Sequence, residues 1–149
     1  MANLSSIYDG LITLIQTQLP AYIRMADAYD VTNNDILSII KGYSLAIKSG
    51  VNTQRNITCA ELSSERTFEL TLTNLYTAND NDPTGRATIE KSIMEDAFKV
   101  WKSLQAIHSL GGVQISGALY SDDTGLEYLD TEDGKAITVV SSILVEYFE

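Results

Sequence analysis

Cysteine, histidine and proline are nearly missing from this chain of 149 residues, which has one Cys, one His and two Pro. With Cys59 alone, no intrachain disulfide can close and no thiolate metal cluster can form. Cys59 falls in an expected strand, Ile57–Leu62, where a small buried hydrophobe is a simpler reading than a reactive thiol. A zinc centre lacks ligands for the same reason. Basic residues are also scarce: ten against twenty acids, for a net charge of −10. They are scattered and form no run, which argues against a protein that grips nucleic acid by neutralising phosphates. No apolar run reaches the roughly 18 residues that would suggest a membrane span. The opening MANLSSIYDG lacks the basic start and apolar centre of a signal peptide, so a cytoplasmic origin is expected. There is no GxSxG elbow, Gly-rich phosphate loop, dinucleotide fingerprint or paired-acid motif.

What is present is an ordinary globular balance, 44% hydrophobic and 20% charged, at a length that suits one domain over 1–149. Ser5–Leu19 has helical spacing, with Ile7, Leu11, Leu14, Ile15 and Leu19 on one face beside Leu4 and Tyr8. Pro20 closes that helix, because the residue before a proline is pushed out of the α region. A short helical segment is expected over Ile36–Lys41, then a break at Gly42. Strands follow at Tyr43–Lys48, Asn56–Leu62 and Glu65–Tyr76. In the last of these, Phe68, Leu70 and Leu72 alternate with Thr67, Glu69, Thr71 and Thr73, as in a sheet with one buried face. The best helix runs from Thr84 or Thr88 to about His108. Its apolar stripe is Ile89, Ile93, Ala97, Val100, Trp101, Leu104 and Ile107, and Lys91/Glu95 and Glu95/Lys99 are outward pairs. Gly111–Gly112 is expected to end it. Strands at Val113–Ala118, Leu126–Leu129 and Ala136–Phe148 complete the order, separated by turns at Asp122–Gly125 and Asp130–Gly134. Helix, strands, helix, strands with short connections predicts an α+β fold: a mainly antiparallel β-sheet packed by two long α-helices.

The final strand is the most informative element. Ala136–Phe148 contains no Gly, Pro, Asn or Asp, against a usual strand of about 5–6 residues. Ile137, Val139, Ile143, Val145 and Tyr147 share one face, and the other is half apolar. A long strand of this kind is expected to find a neighbour outside its own subunit.

Chemistry has few candidates. His108 in the last turn of a helix would interact favourably with the helix dipole, a simpler reading than catalysis. Asp80-Asn81-Asp82-Pro83-Thr84-Gly85 imitates the start of an EF-hand loop, but position twelve is Lys91 instead of the bidentate acid. Asp130–Gly134 misplaces its Gly by one residue, so both segments read as turns. No catalytic, cofactor-binding or metal-binding residue is assigned, and no enzyme activity is expected.

Four features together resemble the tail terminator (tail completion) proteins of long-tailed bacteriophages. They are the helix Ile7–Pro20 ending in Leu-Pro, the entry Lys41-Gly42-Tyr43-Ser44-Leu45-Ala46-Ile47, and the central helix after Arg66–Leu72. The fourth is Gly112–Tyr120 followed by Asp123-Thr124-Gly125-Leu126-Glu127-Tyr128-Leu129 and the closing Val145-Glu146-Tyr147-Phe148. The resemblance implies a virion structural protein, assembled in the host cytoplasm, that forms a hexameric ring. Such a ring caps the tail tube, stops its polymerisation and meets the head or neck connector, while DNA passes through without specific binding. Ala21–Asn34, Asn79–Gly85 and Asp122–Gly125 are the loops expected to touch tube and connector. Two other readings remain: another neck, head-completion or tail tube protein, and a small-molecule-binding or hydrolytic domain using His108 with a nearby acid.

Overall fold

Four long strands carry the architecture. The computed structural model describes residues 2–25, 41–54, 62–76, 83–105, 107–131 and 134–148. The described elements are α1 (Ala2–Gln18), β1 (Ile23–Arg24), β2 (Lys41–Gln54), β3 (Leu62–Tyr76), α2 (Pro83–Leu104), β4 (Ser109–Leu110), β5 (Val113–Thr131) and β6 (Gly134–Phe148). The sheet order is β1-β2-β3-β6-β5-β4. Adjacent long strands are antiparallel throughout; only the two-residue β1 runs parallel, beside β2. The 15 residues of β6 reach about 50 Å at a strand rise of about 3.3 Å per residue. No helix among the described residues is long and apolar enough to cross a membrane.

The alternation expected of β3 and β6 sets the layers. Ile137, Val139, Ile143, Val145 and Tyr147 are buried on one face of β6, together with Ser141. Register places Leu72 against Val139 and Phe68 against Ile143, and Tyr43 and Leu45 of β2 continue the same face. Onto it pack Ile7, Leu11, Ile15 and Leu19 of the α1 region, and Ile93, Ala97, Val100 and Leu104 of α2. The Trp101 indole N–H donates to Ser141 Oγ at 3.2 Å, which places α2 on that face. Both helices therefore cover one side of the sheet, and no described helix covers the other.

Several boundaries differ from expectation for identifiable reasons. Gly42 does not interrupt β2, which begins at Lys41; the rest of the expected helix Ile36–Lys41 lies outside the described residues. Of the expected strand Asn56–Leu62 only Leu62 is described, as the start of β3, and Cys59 is not. Helix α2 ends at Leu104, so His108 is not in its last turn; its carbonyl instead accepts from Ile115 N–H at 2.9 Å. Gly111 and Gly112 do not cap that helix. They form the two-residue turn of the β4–β5 hairpin, with φ of 58° and 80°. Positive φ at both central residues matches the twist of a tight hairpin, which glycine adopts without cost from a side chain. Gly111 also lies under α1, since a Cβ there would meet Ser6 O at 1.9 Å.

The Asp122–Gly125 turn is likewise a bulge inside one continuous strand. Asp122 pairs with Ser141 and Gly125 with Val140, so Asp123 and Thr124 are extra residues in the ladder. Asp and Gly favour local backbone departures of both kinds, so composition did not separate a bulge from a turn. The largest correction concerns β6. It is paired along both sides, with β3 and with β5. Its half-apolar second face and its length belong to a central strand, and it offers no edge to a neighbouring subunit.

Candidate assembly interface

The open edges lie elsewhere. On the outer side of β2, β1 covers only Gly42 and Tyr43. On the outer side of β5, β4 covers only Val113 and Gln114. Among the described residues, 44–54 of β2 and 116–131 of β5 therefore have no outer strand, although the Ile115 N–H is taken by the His108 carbonyl and the Leu45 carbonyl accepts from the Tyr8 hydroxyl at 3.0 Å. A strand edge presents unpaired N–H and C=O groups that can template pairing with another chain. Since β2, β3, β6 and β5 alternate in direction, β2 and β5 run opposite to one another.

Three large hydrophobics are left exposed among the described residues. They are Ile23 at 46%, Ile47 at 48% and Phe98 at 58%. Ile23 belongs to β1 and Ile47 to β2, at one side of the sheet. Ile47 continues the Tyr43–Leu45 alternation, so it sits on the helix-covered face. Phe98 belongs to α2, where Lys91, Met94, Glu95, Phe98, Lys99 and Trp101 line an open hollow of about 590 Å³.

A buried polar cluster occupies the other flank of α2. The Tyr22 hydroxyl donates to Asp96 Oδ2 at 2.7 Å. Lys41 Nζ lies 3.9 Å from the same oxygen and Lys99 Nζ 3.7 Å from Oδ1. Lys99 thus pairs with Asp96 and not with Glu95. Burial raises the Tyr22 pKa well above its ordinary value, and the adjacent Asp96 hydrogen bond and charge raise it further. This cluster joins the segment after α1, the start of β2 and the middle of α2, the arrangement of a structural clasp. The sequence reading passed over Asp96. Its signal was its place beside the stripe, three residues after Ile93 and four before Val100.

The bare face of the sheet carries carboxylates beside apolar side chains such as Val140 and Leu144. By register, Glu65, Glu69, Glu127 and Glu146 all point away from the helices. Lys48 reaches Glu69 at 3.9 Å. Glu65 and Glu146 are direct cross-strand partners, an arrangement of like charges that opposes folding slightly.

His108 is exposed. Among the described residues no three His, Cys, Asp or Glu side chains gather in a way that could hold a metal ion. Of the three segments expected to act as contact loops, residues 26–34 and 79–82 lie outside the described residues, and Asp122–Gly125 is the bulge in β5. In comparisons with known proteins, no family model and no curated sequence matches this chain.

Proposed function

We propose that this protein is a tail terminator of a long-tailed bacteriophage, a virion structural subunit that works by closing into a ring. The observation that carries the reading is the pair of long, open, oppositely directed edges on β2 and β5. Rotation about an axis roughly along the strands keeps strand direction and sheet face unchanged from copy to copy. The β5 edge of one subunit then meets the β2 edge of the next in antiparallel pairing, the same arrangement as within the sheet. Such a heterologous contact generates a closed ring when its rotation closes, and six copies are the expected number. The resemblance in sequence, from Ile7–Pro20 through Val145–Phe148, supports the same role.

The two faces of the sheet suit different sides of that ring. The helix-free face, with Glu65, Glu69, Glu127 and Glu146, faces the lumen in this reading. Carboxylates there repel phosphates and let DNA pass without adhering. The ring ends cap the tail tube on one side and meet the connector on the other. The subunit needs no cofactor and performs no chemistry.

Native mass spectrometry over a range of concentrations, with negative-stain microscopy, tests the proposal. The expected result is one closed ring of fixed stoichiometry that binds the ends of tail tubes and prevents their further growth. Long stacks of rings would identify a tube subunit instead. A chain that stays monomeric at high concentration and ignores tube ends would end the proposal.

A further inference from the structure

From the hydrogen bonds along the outer side of β2, we infer that Tyr8 and Arg24 form a latch over this edge. The latch closes the first half of β2 in the isolated subunit and opens when another copy's strand pairs there. It rests on the ring proposed above. In an antiparallel ladder, alternate residues turn their N–H and C=O groups to the same edge. On β2 the outward set includes Tyr43, whose carbonyl accepts from the Met25 N–H at 2.8 Å, and so Leu45 and Ile47. The Leu45 carbonyl accepts from the Tyr8 hydroxyl of α1 at 3.0 Å. That hydroxyl accepts in turn from an Arg24 guanidinium N–H at 2.9 Å. The same guanidinium lies 5.5 Å from the centre of the Tyr8 ring, a cation–π contact. The ring leans on Phe68 of the core, with centroids 6.3 Å apart.

The first half of the β2 edge is thus occupied in succession. Main chain covers Tyr43, a side-chain hydroxyl caps Leu45, and a register shift between Ile47 and Gly50 follows. Coverage and bulges are ways in which strand edges are kept from pairing wrongly. The Tyr8 cap differs from the other two in being easily exchanged. A strand added along β2 would offer a backbone N–H to the Leu45 carbonyl, where the hydroxyl now donates. It would also displace the exposed Arg24 side chain, one hydrogen bond further out. A net contribution of one hydrogen bond is small, so such a contact restrains pairing without forbidding it. Strand addition therefore competes with the latch, and each is weakened by the other.

Analytical ultracentrifugation of Tyr8→Phe beside wild type tests the latch. Phenylalanine keeps the ring against Phe68 and removes only the hydroxyl, leaving the Leu45 carbonyl to an incoming N–H. The expected association constant is higher by roughly twofold to tenfold, the equivalent of one net hydrogen bond. Arg24→Ala should shift it in the same direction, and the double variant should fall short of the two effects combined. Fully additive effects would overturn the coupling of the two residues. Wild-type rings with an unchanged or lowered constant in Tyr8→Phe would overturn the latch while leaving the ring standing. A chain that stays monomeric both as wild type and as Tyr8→Phe removes both readings together.

Discussion

Two flanks of one helix are built in opposite senses. On the side of α2 toward β2, the carboxylate of Asp96 is buried among Tyr22, Lys41 and Lys99. On the side toward β5, the ring of Phe98 stands in solvent. Between them runs the conventional stripe of Ile93, Ala97, Val100 and Leu104, each at most 1% exposed. Burial of a charge is tolerated where three partners compensate it and where it ties distant segments together. Exposure of an aromatic ring has no such compensation within the subunit. The first flank ties distant segments of the fold together, and the second leaves an aromatic ring uncovered.

Mutations can break or sharpen that contrast. Ile93→Ala, in the stripe, sets the scale: a loss of about 2–5 kcal/mol is expected from transfer and cavity terms, read by urea denaturation. Asp96→Ala should cost less, about 1–3 kcal/mol, because it leaves the Tyr22 hydroxyl without its acceptor. A wild-type midpoint in that variant would show that the clasp contributes nothing.

The Tyr22 contribution carries a pH signature. Its folded pKa is raised above the unfolded value of about 10. Its share of stability is therefore fully present below that value. It fades as pH rises past it, where the unfolded chain loses a proton that the folded chain keeps. The melting temperature of wild type should fall more steeply above pH about 10 than that of Tyr22→Phe. Parallel curves would remove Tyr22 as the cause. Smallest of all, Phe98→Ser should change monomer stability by no more than about 0.5 kcal/mol, as for an ordinary surface site. A larger loss would mean that Phe98 belongs to the subunit's own core.

The sequence made local order legible and lateral order illegible. Pro20 and the spacing of Ile7, Leu11, Ile15 and Leu19 located α1, because a helix's apolar face is written in its own residues. Strict alternation located the buried faces of β3 and β6 equally well. Strand neighbours are different, since they depend on pairing across the chain. The long apolar run of Ala136–Phe148 is compatible with either a central strand or an edge awaiting a partner, and only the sheet order separates the two. The Asp122–Gly125 and Gly111–Gly112 segments show the same limit, since turn-forming residues mark a change in backbone path without saying what lies on either side. The candidate interface was least accessible. Ile47 and Phe98 are ordinary apolar residues in sequence, and their exposure appears only in the folded chain.

The central position of β6 has a consequence for biosynthesis. Translation produces β3 and β5 before the segment that separates them, so the sheet stays divided while the rest of the chain emerges. Contacts between β3 and β6 join residues as distant as Ser63 and Phe148, and such remote pairings slow folding. Until they form, the nascent polypeptide carries two unfilled seams with strong β character, which invites mispairing in a crowded cell. Completion of the subunit is thereby postponed until its sixth strand has been made.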